Sequence, residues 1–329
     1  MPHDALNRRL RYHRKRTGKR ITPTERDAAI FTLLRRYRYL RSTFIHAFVG
    51  GCEKRLVERL GDLFHEGYLN RPPQQWQAFN ARYAPAVYEL DELGEAFLRD
   101  RGEEVAVDAA DLVAKGRMGA NRQFAHALMI CDTLASIELG VRRTRDVRFI
   151  SWQEILARAP ESTRAAPNPF AIPVSISYTF PHTGTTRTSA TTLIPDGLFG
   201  LAYAQPDGGK TLYRFFALEA ERTNRVYCSN LEQTSWLRKV LAYREITAQR
   251  IYQSHLGLPN LMVLVVTPTE ARIETMTKLI MDITQERGST QFLFRSVPVL
   301  GFKAPPPEPE LFVSPWRRAG HPAFEIGRA

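Results

Sequence analysis

Near the start of the chain the apolar positions form stripes at helical spacing, followed by two short runs of strand type. Ile30, Leu33, Leu34 and Tyr37 make the first stripe. Ahead of it, Thr22-Pro23-Thr24-Glu25 supplies a capping hydroxyl, a proline early in the first turn and an acid near the helix N-terminus. A second, short helix fits Ser42 to Phe48 and is broken by Gly50-Gly51. A third fits Glu53 to Glu66, with Leu56, Leu60, Leu63 and Phe64 inward and Lys54, Arg55 and Arg59 outward; Gly67 ends it. Tyr68-Leu69-Asn70 and Val87-Tyr88-Glu89-Leu90 read as short strands around a loop holding Pro72, Pro73, Trp76 and Arg82.

Residues 101–120 contain few large apolar side chains and are expected to be a linker. A helix from Gln123 to Leu139 follows, with Phe124, Ala127, Leu128, Cys131, Leu134 and Ile137 on one stripe. Strand-like runs span Val174 to Phe180, Thr188 to Ile194, Leu198 to Tyr203 and Thr211 to Glu219. A long helix over Leu231 to Tyr252 precedes a buried strand, Leu261 to Val266, then a helix over Glu270 to Glu286 and a strand over Gln291 to Phe294. This order predicts an α/β fold, a mixed sheet flanked by helices, over residues 121–302. Pro305, Pro306, Pro307 and Pro309 make 303–329 an expected extended tail.

Charge sharpens the division. Residues 1–60 hold 16 Lys and Arg against 5 Asp and Glu, a net of +11, whereas the rest hold 30 against 29, a net of +1. Arg8, Arg9, Arg11, Arg14, Lys15, Arg16, Lys19 and Arg20 have almost no apolar residues between them, so residues 1–20 are expected to be a basic arm, disordered without a partner. Such a segment attached to a near-neutral body is an electrostatic footprint for polyphosphate. Charge alone leaves open a solvated tail, an anionic membrane surface or a nucleic acid; the domain that follows favours double-stranded DNA as the expected partner, with Arg14, Lys15 and Arg16 among the contacts. The longest purely apolar run, Leu261 to Val266, is far short of a membrane span, and the expected location is the cytoplasm. Cys52, Cys131 and Cys228 are isolated from one another and are expected to be buried thiols. Gly209-Lys210-Thr211 mimics a phosphate loop, but the residues that follow, Leu212-Tyr213-Arg214-Phe215-Phe216, are strand material where a helix is required.

A hairpin turn explains those glycines better. With Asp207-Gly208 as a two-residue turn, Pro206 faces Gly209 and the ladder sets Asp196 opposite Glu219. Directly opposed side chains have Cβ atoms about 5 Å apart, and Glu221 lies two positions further on the same face. Three carboxylates so close are either solvent-exposed or a divalent-metal site, and oxygen-only ligands favour magnesium or manganese.

The order helix, helix, helix, strand, loop, strand, closed by Leu93-Gly94-Glu95-Ala96-Phe97-Leu98, resembles the winged helix-turn-helix domains of bacterial regulators over residues 21–100. That resemblance implies Lys54, Arg55 and Arg59 as contacts of a recognition helix and Arg82 as a wing contact. Ile194-Pro195-Asp196-Gly197, then Phe216-Ala217-Leu218-Glu219-Ala220-Glu221-Arg222, then a helix bearing Lys239 and Tyr243, resembles the replication-relaxation family of bacterial plasmids and integrative elements. The family resemblance implies an N-terminal winged helix joined to a body of PD-(D/E)XK nuclease-like type. Asp196 and Glu219 match that fold's metal-holding acids, while Glu221 stands where its lysine is expected; Lys239, from a helix packed over the strands, is the displaced substitute. Two functions follow from the resemblance. One is a DNA-binding accessory protein of a mobile element that cleaves or nicks duplex DNA, with Asp196, Glu219, Glu221 and Lys239 as its catalytic set. The other is a non-enzymatic DNA-binding regulator or scaffold with a degenerate nuclease-like domain, docking other DNA-processing proteins of the element.

Overall fold

A computed structural model describes residues 13–78, 84–103, 120–205, 209–297 and 310–328. The chain is a mixed α/β protein that divides into two compact units, residues 1–139 with 299–308 and residues 140–298 with 309–329.

In the first unit, α1 (Glu25–Tyr37) starts at a capping box: the Thr24 hydroxyl accepts from the Asp27 backbone N–H, and the Asp27 carboxylate accepts from the Thr24 backbone N–H at 2.8 Å. Then come β1 (Leu40–Arg41), α2 (Ser42–Val49) and α3 (Glu53–Glu66). Gly67 ends α3 at φ +94°, a left-handed conformation that glycine takes at no steric cost. β2 (Leu69–Asn70), α4 (Gln75–Ala78), β3 (Val87–Leu90) and α5 (Glu92–Asp100) follow, and the strands form an antiparallel sheet of order β1-β3-β2. The loop between β2 and β3 thus contains a helical turn. It is held by buried Gln75, whose amide donates to Val87 O at 3.0 Å and accepts from Val87 N at 2.9 Å. Arg82 lies outside the described residues.

The next helix, α6 (Ala120–Val141), corrects the expected boundary at residue 120. Phe124, Leu128, Cys131 and Ala135 pack into one core with Ile30, Leu60 and Val87, so the division falls near residue 139. Its acids are paired within this unit. Arg41 donates to Asp132 at 3.0 Å, and Arg36 to Glu138 at 2.9 Å, where the Tyr37 hydroxyl also bonds. By length and composition Phe124–Val141 could cross a bilayer, but 89% of that stretch is buried within the protein, as befits a core helix. Cys131 and Cys228 are buried as expected, whereas Cys52 is exposed because it caps the solvent-facing start of α3.

The second unit opens with β4 (Val147–Ile150), α7 (Trp152–Arg158) and α8 (Glu161–Arg164). β5 (Ile172–Thr179) and β6 (Thr186–Leu193) pair as a separate hairpin. β7 (Gly197–Tyr203), β8 (Leu212–Ala220), α9 (Trp236–Ala248), α10 (Ile251–Leu256), β9 (Met262–Thr267), α11 (Glu270–Ile283) and β10 (Ser289–Ser296) complete the expected body. Where one long helix was expected over 231–252, the chain breaks between α9 and α10 at Arg250, whose φ is +53°. The expected extended tail is also corrected: α12 (Glu310–Val313), β11 (Trp316–Ala319) and β12 (His321–Phe324) are ordered elements. The sheet runs β12-β11-β10-β9-β8-β7-β4, with β8, β9 and β10 parallel in the middle and antiparallel strands on both sides. Each parallel strand is buried along its paired centre, 215–220 of β8, 263–267 of β9 and Phe292–Phe294 of β10, as expected where both faces are covered.

Candidate functional site

The β7–β8 ladder runs from Tyr203 opposite Leu212 to Gly197 opposite Leu218, which is the register that brings Asp196 alongside Glu219. The turn residues 206–208 lie outside the described residues. Asp196 is anchored at the end of this ladder, its Oδ2 accepting from the Ala220 N–H at 2.9 Å. Glu219 and Glu221 project from β8 and its exit at two-residue spacing, both with no solvent exposure. α9 lies over them. Its start is fixed by Ser235, whose hydroxyl accepts from the Arg238 N–H at 3.2 Å. One helical turn separates Lys239 from Tyr243, so both side chains reach the same acid.

Lys239 Nζ bonds Glu219 Oε2, lies 2.6 Å from Glu221 Oε1 and 4.0 Å from Asp196 Oδ2. The Tyr243 hydroxyl donates to Glu219 Oε1 at 2.5 Å. Glu221 Oε2 accepts from Asn224 at 3.1 Å and faces the Arg272 guanidinium at 3.5 Å. Arg272 also donates to Glu221 O at 2.9 Å and Asn224 O at 2.6 Å, which fixes the loop leaving β8. The four sequence-predicted residues of this set are therefore brought together. Asn224 and Arg272 were missed. Arg272 did carry a signal: a cation in the first turn of a helix opposes the helix dipole and invites a search for an acid nearby.

Burial pushes the Glu219 carboxyl up to about 8, with Asp196 and Glu221 adding to the rise and Lys239 opposing it. Burial also works against the charge on Lys239, but Glu219, Asp196 and Glu221 outweigh it and hold the ammonium well above its ordinary value. The Tyr243 hydroxyl is raised for the same reasons, burial first and Glu219 next. Three carboxylates face two cations, Lys239 and Arg272, which leaves one negative charge in excess if every acid is ionised. A proton on Glu219 or a bound cation would balance it.

Among the described residues no group of three or more His, Cys, Asp or Glu side chains has metal-holding geometry. The ammonium of Lys239 occupies the middle of the cluster instead. The chemistry of the donors still suits a hard divalent cation, because all are carboxylate oxygens and the buried Glu221 Oε1, though close to Nζ, has no directed hydrogen bond.

The expected DNA contacts fall out differently. Lys54 and Arg55 are exposed on α3, and Lys15 and Arg16 are exposed ahead of it. Arg59, expected to face out with them, turns back to Asp27 (2.6 Å) and Thr22 O (3.1 Å), because Asp27 is a buried carboxylate needing a cation. Arg14 is not on a free arm either. It donates to Phe64 O at 2.8 Å and Leu69 O at 2.9 Å and pairs with Asp91, while Lys19 pairs with Asp62 and the Thr17 N–H bonds Glu66 at 2.9 Å. Residues 13–20 thus follow the acidic edge and C-terminal carbonyls of α3, where cations are favoured.

Residues 31–261 match the family model described as replication-relaxation, well over half of the chain. The chain belongs to the replication-relaxation family. Membership suggests a role in the replication or relaxation of a plasmid or similar element. The replication-relaxation match takes in Lys54, Arg55 and the whole cluster of Asp196, Glu219, Glu221, Lys239 and Tyr243, and stops short of Arg272. No curated protein and no solved structure matches the chain.

Proposed function

We propose that this replication-relaxation protein is a DNA-binding accessory protein of a plasmid or integrative element. In this reading the first unit is a winged helix-turn-helix that engages duplex DNA, and the second is a PD-(D/E)XK nuclease-like body that hydrolyses or nicks it. The observation that carries the reading is Lys239, which reaches Glu219 and Glu221 from a helix outside the strand that bears them. A buried lysine there supplies the charge that Glu221 cannot. Lys54 and Arg55 on α3, with Lys15 and Arg16, would meet phosphates or base edges, and Arg82 would serve as a wing contact. The protein would act in the bacterial cytoplasm, beside other DNA-processing proteins of the same element.

The chemistry would be phosphodiester hydrolysis, in which a water oxygen adds to phosphorus as one P–O ester bond breaks. Asp196 and Glu219, with Glu221 as a further acid, are the residues that would hold magnesium or manganese. The ion, when bound, supplies Lewis-acid polarisation of a phosphoryl oxygen and of water. Lys239 releases Glu219 and donates to the phosphoryl oxygens, where negative charge grows. Tyr243 keeps Glu219 in one orientation, and Asn224 and Arg272 do the same for Glu221.

A second reading has its own support. The carboxylates are already engaged by Lys239, an arrangement that also suits a degenerate body used as a scaffold. Supercoiled plasmid incubated with the protein and manganese separates the two: nicking that is lost in Asp196→Asn and Lys239→Ala supports the nuclease, and metal binding without cleavage of varied DNA substrates supports the scaffold.

A further inference from the structure

Arg238 and Lys239 are neighbours in the first turn of α9, yet they keep different company. Lys239 faces three acids. Arg238 is half-buried and has no carboxylate within ion-pair distance among the described residues; its guanidinium bonds the Thr191 hydroxyl, and its Nε is buried with no partner. Burial alone lowers its pKa, with no acid opposing the shift. Several other arginines withdrawn from water are matched with an acid: Arg36 with Glu138, Arg41 with Asp132, Arg59 with Asp27 and Arg272 with Glu221. A guanidinium held from water without a counter-charge is costly, and an incoming anion removes that cost.

The guanidinium lines a cavity of about 200 Å³ together with Thr191, Thr192, Leu193, Thr234 and Lys239. Hydroxyl donors and two cations surround it, and no acid is among its lining residues. The start of a helix adds a favourable field for an anion. Its amides are already used: Trp236 N bonds Arg225 O, Leu237 N bonds Val226 O, and Arg238 N bonds Ser235 Oγ. An anion would therefore be held by side chains. The planar fork of arginine suits phosphate oxygens.

We propose that this cavity is a phosphate-binding subsite, in which Arg238, Thr191 and Thr234 hold a phosphate anion beside the Lys239 ammonium. The phosphate belongs either to a nucleic-acid strand, as a phosphodiester next to the one at Lys239, or to free phosphate. The strand assignment rests on the function proposed above; the anion site does not.

Thermal unfolding of the full chain in inorganic phosphate, against chloride at equal ionic strength, tests the site. Wild type should melt higher as phosphate rises, since a ligand of the folded state stabilises it by mass action. Arg238→Gln should lose that response without melting lower in chloride, and Thr234→Val should weaken it several-fold. Should Arg238→Gln not fold, Arg238→Lys, which keeps the charge and loses the fork, should show a several-fold weaker response. A wild type indifferent to phosphate, or an Arg238→Gln protein that still responds, overturns the proposal. Binding of a short duplex then identifies the source. At least five-fold weaker binding by Arg238→Gln, with a salt slope reduced by about 1, assigns a strand phosphodiester. Unchanged duplex binding beside a lost phosphate response overturns the strand assignment and leaves free phosphate. A wild type that binds no DNA at all would defeat the function proposed above while leaving the phosphate result standing.

Discussion

Arg59 closes on Asp27, the residue whose carboxylate completes the capping box at the head of α1. Burial works against the Asp27 carboxylate, but the bonds from Arg59 and Thr24 prevail and hold its pKa below the ordinary value. Arg59→Ala should leave a buried carboxylate without its cation and cost about 2 kcal/mol. Chemical denaturation with a probe in the first unit would measure the loss. Because the folded pKa is depressed, the contribution of the pair is present above the ordinary value of 3.8 and fades as pH falls below it.

Lys54 and Arg55 provide the contrast. Both are exposed on α3, so Arg55→Ala should leave unfolding unchanged. If α3 enters the major groove, the same variant should weaken duplex binding and reduce the slope of log affinity against log salt by about 0.9. Titrations at several salt concentrations would decide it, and an unaltered slope would remove α3 from the interface.

Truncation should separate charge from structure at the N-terminus. Deleting residues 1–12 removes Arg8, Arg9 and Arg11 and leaves the docked Arg14. That truncation should flatten the salt dependence without lowering the melting temperature. Deleting residues 1–20 also removes the Arg14, Thr17 and Lys19 bonds to α3 and its neighbours, and should lower both.

The acid cluster gives a pH signature. Glu219 is raised from an ordinary 4.5 to about 8 in the folded protein, so between those values the folded state holds more protons than the unfolded one. Stability in chelator should therefore be complete below 4.5, fall as pH rises toward about 8, and level off above it. Glu219→Gln should flatten that descent. A wild-type stability curve with no such fall would mean that Glu219 is ionised throughout.

Magnesium or manganese should counter the same descent. A cation that replaces the proton on Glu219 binds better as pH rises, so its stabilisation should grow from pH 6 to about 8 by mass action. Asp196→Asn and Glu219→Gln should abolish the shift in melting temperature. Equal melting with metal and with chelator across this range would sink the metal reading.

The carboxylate cluster was legible because a two-residue turn fixes a register, and a register fixes who faces whom. Lys239 came from the family resemblance, which leaves a lysine to be supplied from outside the strand, and helical spacing put Tyr243 on the same face. Arg59 could not be read this way: periodicity places a side chain on a helix face but does not say that a buried acid waits beside it. β1 escaped because two residues, Leu40 and Arg41, carry no period. β4 escaped because it is a sheet-edge strand whose Arg148 points to solvent, so its apolar signal is diluted. The α6 stripe was visible, but a stripe does not name its partner core. Beyond the prolines, Trp316 and Ala319 are the buried members of β11, separated by two arginines that disguise the strand.

β11 and β12 have a consequence for biosynthesis. They are made after every other strand of the sheet, yet β11 covers the open side of β10, the outermost of the parallel strands. A ribosome that has completed β10 therefore holds a nascent chain with a bare strand edge around Phe292–Phe294 until residues 316–319 emerge, a template for pairing with the wrong chain. Trp316, fully buried once the edge is covered, would report that closure by its fluorescence.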